Sequence, residues 1–126
     1  MRAIDTNVLV RLVTRDDTKQ VSAAERFVEN GAWVSLLALA ESTWVLEAVY
    51  GLVPGEIARV IEMLLDHKNL TLQDSDVVAA ALEIYRKRPA LGLSDCLLIE
   101  LARKAGHLPL GTFDRELSKV AGAEKL

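Results

Sequence analysis

Met1-Arg2-Ala3-Ile4-Asp5-Thr6-Asn7-Val8-Leu9 decides how the rest of the chain is read. A short apolar run ends at Ile4, and Asp5-Thr6-Asn7 comes at once after it, with side-chain oxygens suited to turns and helix caps. Val8 to Val13 then has helical spacing. A strand has passed directly into a helix.

The same alternation continues downstream. Thr18 to Asn30 reads as an amphipathic helix with Val21, Ala24, Phe27 and Val28 on one face, stopped by Gly31. Trp33-Val34-Ser35 reads as a second strand running into a helix from Leu37 to Tyr50, which Gly51 ends. Pro54 opens the next helix, whose buried stripe is Ile57, Val60, Ile61, Leu64 and Leu65. Leu70-Thr71-Leu72 is a third strand, and Asp74 to Lys87 a helix turning Val77, Val78, Ala81, Leu82 and Tyr85 inward. Ser94 is expected to cap a helix that runs to Lys104 and stops at Gly106. Pro109 to Thr112 reads as a fourth strand, and Asp114 to Val120 as a last short helix. Short strands alternating with longer helices imply parallel pairing and an α/β sandwich, richer in helix than in strand.

Composition narrows the class. At 126 residues, with no repeat and no linker, the chain reads as one domain over residues 1–126. An apolar share of 51% excludes disorder, and an aromatic share of 5% disfavours a β-sandwich. One cysteine, Cys96, allows no internal disulfide and suits a reducing cytoplasm. The longest nearly apolar stretch, Ala32 to Ala40, is too short to span a bilayer, and no apolar leader precedes it, so a soluble intracellular protein is expected. A net charge of −3 argues against a nucleic-acid partner, unless acids are gathered around metal ions. Taking four such carboxylates out of −3 leaves +1.

In an open parallel sheet, ligands collect beyond the carboxyl ends of the strands. The polar groups expected there are all acids. Asp5 ends the first strand, Asp114 comes after the fourth, Asp95 lies in the first turn of a helix, and Glu41 lies one turn into the helix after the second strand. Asp5 and Asp114 have an ordinary alternative role as helix caps, and Asp95 as a partner for a helix dipole. Glu41 is different, because Leu37, Ala38, Trp44 and Val45 surround it at helical spacing and place it on an apolar stripe. A carboxylate there needs a cation or a proton. Crowded acids raise one another's pKa, and Mg²⁺ or Mn²⁺, which prefer hard oxygen ligands, relieve that cost. No Cys/His set supports zinc, and His67 and His107 read as surface residues.

With these residues in hand, the chain resembles the PIN-domain nucleases, and in order, spacing and length the VapC toxins among them. Asp5-Thr6-Asn7-Val8-Leu9 resembles the opening motif of that family, Ala40-Glu41 its second acidic motif, Ser94-Asp95-Cys96-Leu97-Leu98 the third, and Gly111-Thr112-Phe113-Asp114 the fourth. The resemblance implies a three-layer α/β sandwich with a parallel sheet of four or five strands flanked by about seven helices. It implies that Asp5 and Asp95 are the principal ligands of Mg²⁺ (or Mn²⁺), with Glu41 and Asp114 completing the pocket. Thr6, Asn7 and Thr112 are then candidates to orient those carboxylates, although Thr6 and Asn7 read equally well as capping residues. The implied reaction is endonucleolytic hydrolysis of RNA, of the transfer or ribosomal kind, by a homodimeric toxin that a VapB-like antitoxin silences. Arg11 and Arg115 are the cations best placed in sequence for RNA phosphate. Arg86-Lys87-Arg88 reads first as a solvated helix end.

Two other readings compete. A phosphatase or receiver domain would want a second acid near Asp5, where Asn7 stands, and a lysine on a later loop. A PIN-like scaffold that binds RNA or protein without cutting would not need four intact acids. DNA flap cleavage ranks lower, because the chain lacks length for a threading arch. Leu36, Leu39, Trp44, Leu52 and Val53 read as core before they read as an interface.

Overall fold

The computed structural model describes all 126 residues, folded as two compact units, Met1–Ser75 and Asp76–Leu126. The first carries β1 (Arg2–Ile4), α1 (Thr6–Thr14), α2 (Thr18–Val28), β2 (Ala32–Val34), α3 (Leu36–Ala48), α4 (Pro54–Asp66) and β3 (Leu70–Leu72). Its strands pair in parallel in the order β1-β2-β3, with Ile4 beside Val34 beside Leu72. Because side chains alternate along a strand, that row is buried, while Ala3, Trp33 and Thr71 form an exposed row on the other face.

The register also aligns the first residue beyond each strand. Asp5, Ser35 and Gln73 come next after Ile4, Val34 and Leu72, at one edge of the sheet. Asp5 Oδ1 accepts the Val8 N–H at 3.0 Å, Ser35 Oγ the Ala38 N–H at 3.0 Å, and Gln73 Oε1 the Leu36 N–H at 2.9 Å. The free amides that open α1 and α3 are thereby satisfied at this edge.

Helix α3 is apolar nearly all round, so its sequence does not reveal which side is buried. Ala38, Leu39, Ser42, Thr43 and Leu46 face inward. Leu37, Glu41 and Trp44 lie on the outer side, with Leu37 70% and Trp44 67% exposed. Glu41 is therefore solvated, and the expectation that it sits on a core stripe is overturned. The residues around it are apolar but themselves open to water. Of the five residues read first as core, Leu39 is buried, Leu36 and Leu52 are half-buried, and Trp44 and Val53 are exposed.

The second unit carries α5 (Ser75–Lys87, all but its first residue), α6 (Gly92–Ala105), β4 (Leu110–Thr112) and β5 (Ala123–Lys125), with single 3-10 turns at Pro89–Leu91 and Leu117–Lys119. The α5 stripe Val77, Val78, Ala81, Leu82 and Tyr85 is buried as expected. Lys104 on α6 pairs with Asp76 on α5 at 3.1 Å, and Arg88 with Glu116 at 3.2 Å.

The fold is α/β with a short parallel sheet, and its details differ from the sequence reading in three places. The five strands divide into a three-stranded and a two-stranded sheet, β4 pairing with β5 in parallel, and there are six α-helices rather than about seven. The helix expected over Asp114–Val120 is one 3-10 turn, since Ser118 Oγ bonds the Arg115 carbonyl at 2.6 Å and Gly122, at φ 97°, turns the chain into β5. Helix α6 starts at Gly92, whose φ of 76° favours glycine, and Ser94 lies inside its first turn instead of capping it. No helix is long and apolar enough to cross a membrane.

Two serines of one neighbourhood should respond in opposite directions. Ser35→Ala removes the α3 cap and should lower stability by about 1 kcal/mol. Ser42 Oγ is buried without a hydrogen-bond partner, so Ser42→Ala should raise stability by about 1 kcal/mol. Denaturant unfolding of both variants measures the difference, and a loss in Ser42→Ala would show that its hydroxyl is satisfied.

Candidate active site

In the second unit, the sequence-predicted acids Asp95 and Asp114 come together electrostatically. Asp95 sits in the first turn of α6, and Asp114 in the turn that leaves β4. That turn is fixed at both ends. The Asp114 N–H donates to Thr112 Oγ1 at 3.0 Å, and Asp114 Oδ1 accepts the Leu117 N–H at 2.9 Å. Thr112 therefore holds the backbone that carries Asp114. Burial raises the Asp95 carboxyl above the ordinary carboxylate range, and the charge of Asp114 raises it further. Asp95 has no hydrogen-bond donor or cation as a partner. Next to it, burial and then the Asp95 charge push the Cys96 thiol up to about 11, which keeps it protonated and unreactive at neutral pH.

In the first unit, Asp5 caps α1 with one oxygen, and Glu41 stands free on the exposed side of α3. Thr6 and Asn7 lie in the first helical turn, so the cap is Asp5 and neither of them. Asp5 and Asn7 line a cavity of about 380 Å³ between α1 and α2, with Arg11, Gln20 and Phe27 along its walls. A larger cavity of about 850 Å³, lined among others by Arg15, Arg26, His67 and Lys68, contains none of the four acids.

Arg11 is already committed within its unit. Its Nε donates to Gln20 Oε1 at 2.5 Å, and its Nη1 to Tyr50 Oη at 3.0 Å and Asp16 Oδ1 at 3.2 Å. The hydroxyls of Tyr50 and Thr14 donate to Asp16 and, with the Arg11 charge, hold its carboxyl below its usual range. This guanidinium ties α1 to α2 and to the end of α3, which lessens its availability to RNA phosphate. Arg115 makes no ion pair, and its side chain is free in solvent.

No group of three or more Asp, Glu, His or Cys side chains forms a metal cage in the structure. The pair it does join, Asp95 with Asp114, fits a hard divalent cation. Both supply carboxylate oxygen, the charge of Asp114 adds to burial in disfavouring the ionised Asp95, and neither makes an ion pair with a protein cation. Soft ligands are absent from the pair, since Cys96 is protonated, while His67 Nδ1 accepts the Asn69 N–H. Sequence reasoning missed Ser35 and Gln73 at the sheet edge, and the Asp16–Tyr50 partners of Arg11. The edge residues had a signal in their place directly after a strand. The contact with Tyr50 had none, because it lies 39 residues away.

Parallel strands feeding helices, with Asp5 directly after β1 and Asp114 two residues after β4, define an α/β protein whose candidate functional residues are acids. A PIN domain family model matches residues 3–123, and the chain belongs to the PIN domain family, whose members are typically metal-dependent nucleases. No curated protein and no solved structure matches the chain.

The Asp95 shift carries a pH signature. A carboxyl whose pKa is higher folded than unfolded binds its proton more tightly in the fold, so stability falls as pH rises from about 4 through the folded value. Asp95→Asn removes that penalty. The variant should melt higher than wild type at pH 7, with the two converging below pH of about 4. Thermal melts across pH check this, and a variant less stable than wild type at pH 7 contradicts it.

Proposed function

We propose that the chain is an endoribonuclease that depends on Mg²⁺ or Mn²⁺, built as one PIN domain over residues 1–126, and that it acts as the toxin of a toxin–antitoxin pair. The acids assigned to catalysis and to the cation are Asp5, Glu41, Asp95 and Asp114, with Asp5 and Asp95 as the principal ligands. One observation supports this reading above the others: a half-buried carboxylate, Asp95, without a protein cation and within the field of Asp114, in a chain of a nuclease family.

When bound, the metal supplies Lewis-acid activation of the phosphodiester. The chain supplies position and charge. Thr112 and the Leu117 amide fix Asp114, and the Val8 amide fixes Asp5, so neither carboxylate has to be ordered when substrate arrives. Asn7, exposed beside Asp5, is the residue assigned to orient that carboxylate, and Thr6 supports it from the same turn. Arg115, adjoining Asp114, contacts RNA phosphate.

The toxin assignment rests on the order and spacing of four motifs that resemble those of VapC toxins. A homodimer and a VapB-like antitoxin are the partners proposed with it. The exposed apolar side of α3, Leu37 and Trp44, supports burial against another chain.

Mg²⁺-dependent cutting of single-stranded RNA should stop with a chelator and fall by about 100-fold or more in Asp95→Asn and Asp5→Asn. Expression of the chain should arrest growth, and co-expression of its antitoxin should relieve the arrest. Purified protein that cuts no RNA, with Asp5→Asn as toxic as wild type, would favour the non-cutting scaffold. Arg115→Ala should weaken RNA binding uniformly across sequences and reduce the salt slope of log K by about 1. An unchanged slope would remove Arg115 from the interface.

A further inference from the structure

Phe113 is 80% exposed, a value that among the large apolar side chains only Met1 matches. The chain does not leave the ring there for want of order. The Thr112 carbonyl accepts the Leu126 N–H at 2.9 Å, Thr112 Oγ1 accepts the Asp114 N–H at 3.0 Å, and the Asp114 carboxylate and carbonyl accept the Leu117 and Ser118 amides at 2.9 and 3.0 Å. The backbone on both sides of Phe113 is tied down, while the ring projects into water. Burying it would favour the folded state, so its exposure gives the fold nothing.

The neighbours of the ring indicate its partner. Asp114 and Arg115 come directly after it, an acid and an unpaired cation on consecutive residues. Charges of both signs on the two residues that follow the ring suit the core of a protein interface poorly, since such cores are depleted of charge. They suit a nucleotide well, which presents a flat base and an anionic phosphate within one repeat. Resting on the nuclease reading above, we propose that the Phe113 ring stacks on an unpaired base of the RNA substrate flanking the phosphodiester served by Asp114. One ring on one rigid turn reads one base by its face, so it selects unpaired over paired RNA and does not dictate base identity.

The test uses the full chain and two probes, a random-sequence single-stranded RNA pool and an abasic ribose-phosphate chain of equal length. Binding is measured in Ca²⁺ and cleavage in Mg²⁺. Phe113→Ala should weaken binding of the random pool by roughly 5- to 150-fold, raise KM for cleavage in parallel, and leave abasic binding unchanged. Phe113→Trp should restore wild-type binding. Thermal melts establish that each variant is folded, as an exposed position allows. If wild type cuts RNA and Phe113→Ala binds and cuts it equally well, this inference fails and the nuclease reading stands. If wild type neither binds nor cuts RNA, both fall. If Phe113→Ala keeps RNA binding but loses self-association by sedimentation, the ring is a protein contact and the inference is overturned.

Discussion

Strands of three residues leave no slack between sheet and helix. Each strand of the first unit ends, and within two or three residues the next segment begins, so the side chain at that junction must satisfy the free amides there. Asp5 and Ser35 do this for the helices directly after them, and Gln73 does it from the neighbouring strand. Asp114, two residues after β4, makes a similar bond, its carboxylate accepting the Leu117 amide at the start of a 3-10 turn. The residue that closes the strand is thereby fixed in place by the backbone. An acid used as a cap keeps a second oxygen free, and that oxygen is where chemistry can begin.

In the proposed function, structure and catalysis draw on the same carboxylates. A cap interpretation of Asp5 or Asp114 does not compete with a catalytic one, since the backbone bond engages one oxygen and holds the other still. Asp95 differs in kind. It caps nothing, has no donor for a partner, and bears both burial and the charge of Asp114. A half-buried carboxylate in that setting favours its protonated form, and a bound cation would favour the ionised one. Arg115, which makes no ion pair, and the exposed Phe113 flank Asp114 in sequence, and on the proposal made above the three residues serve nucleotide recognition from one turn.

What the sequence made legible was local. A short apolar run ending at a capping residue marks a strand-to-helix junction without any knowledge of distant contacts, and the buried stripe of α5 emerges from helical period alone. The rest depended on tertiary context. Glu41 was misplaced because α3 is apolar on both sides, and periodicity has no contrast to work with. Strand β5, Ala123–Lys125, carries no apolar alternation and exists because β4 offers it a parallel partner. The restraint on Arg11 comes from Tyr50, far along the chain. For the candidate site, residue type and place near a strand or helix start were visible in all four acids, but the burial of Asp95 and the reach of the Asp114 charge to it required coordinates.

The central claim is that the Asp95–Asp114 pair awaits a hard divalent cation. Calorimetric titration of Mn²⁺ into the wild-type chain at neutral pH tests it without recourse to activity. The account predicts saturable Mn²⁺ binding that Asp95→Asn and Asp114→Asn each abolish while the variants remain folded. Wild-type protein that binds no Mn²⁺, or variants that bind it as tightly, would contradict it.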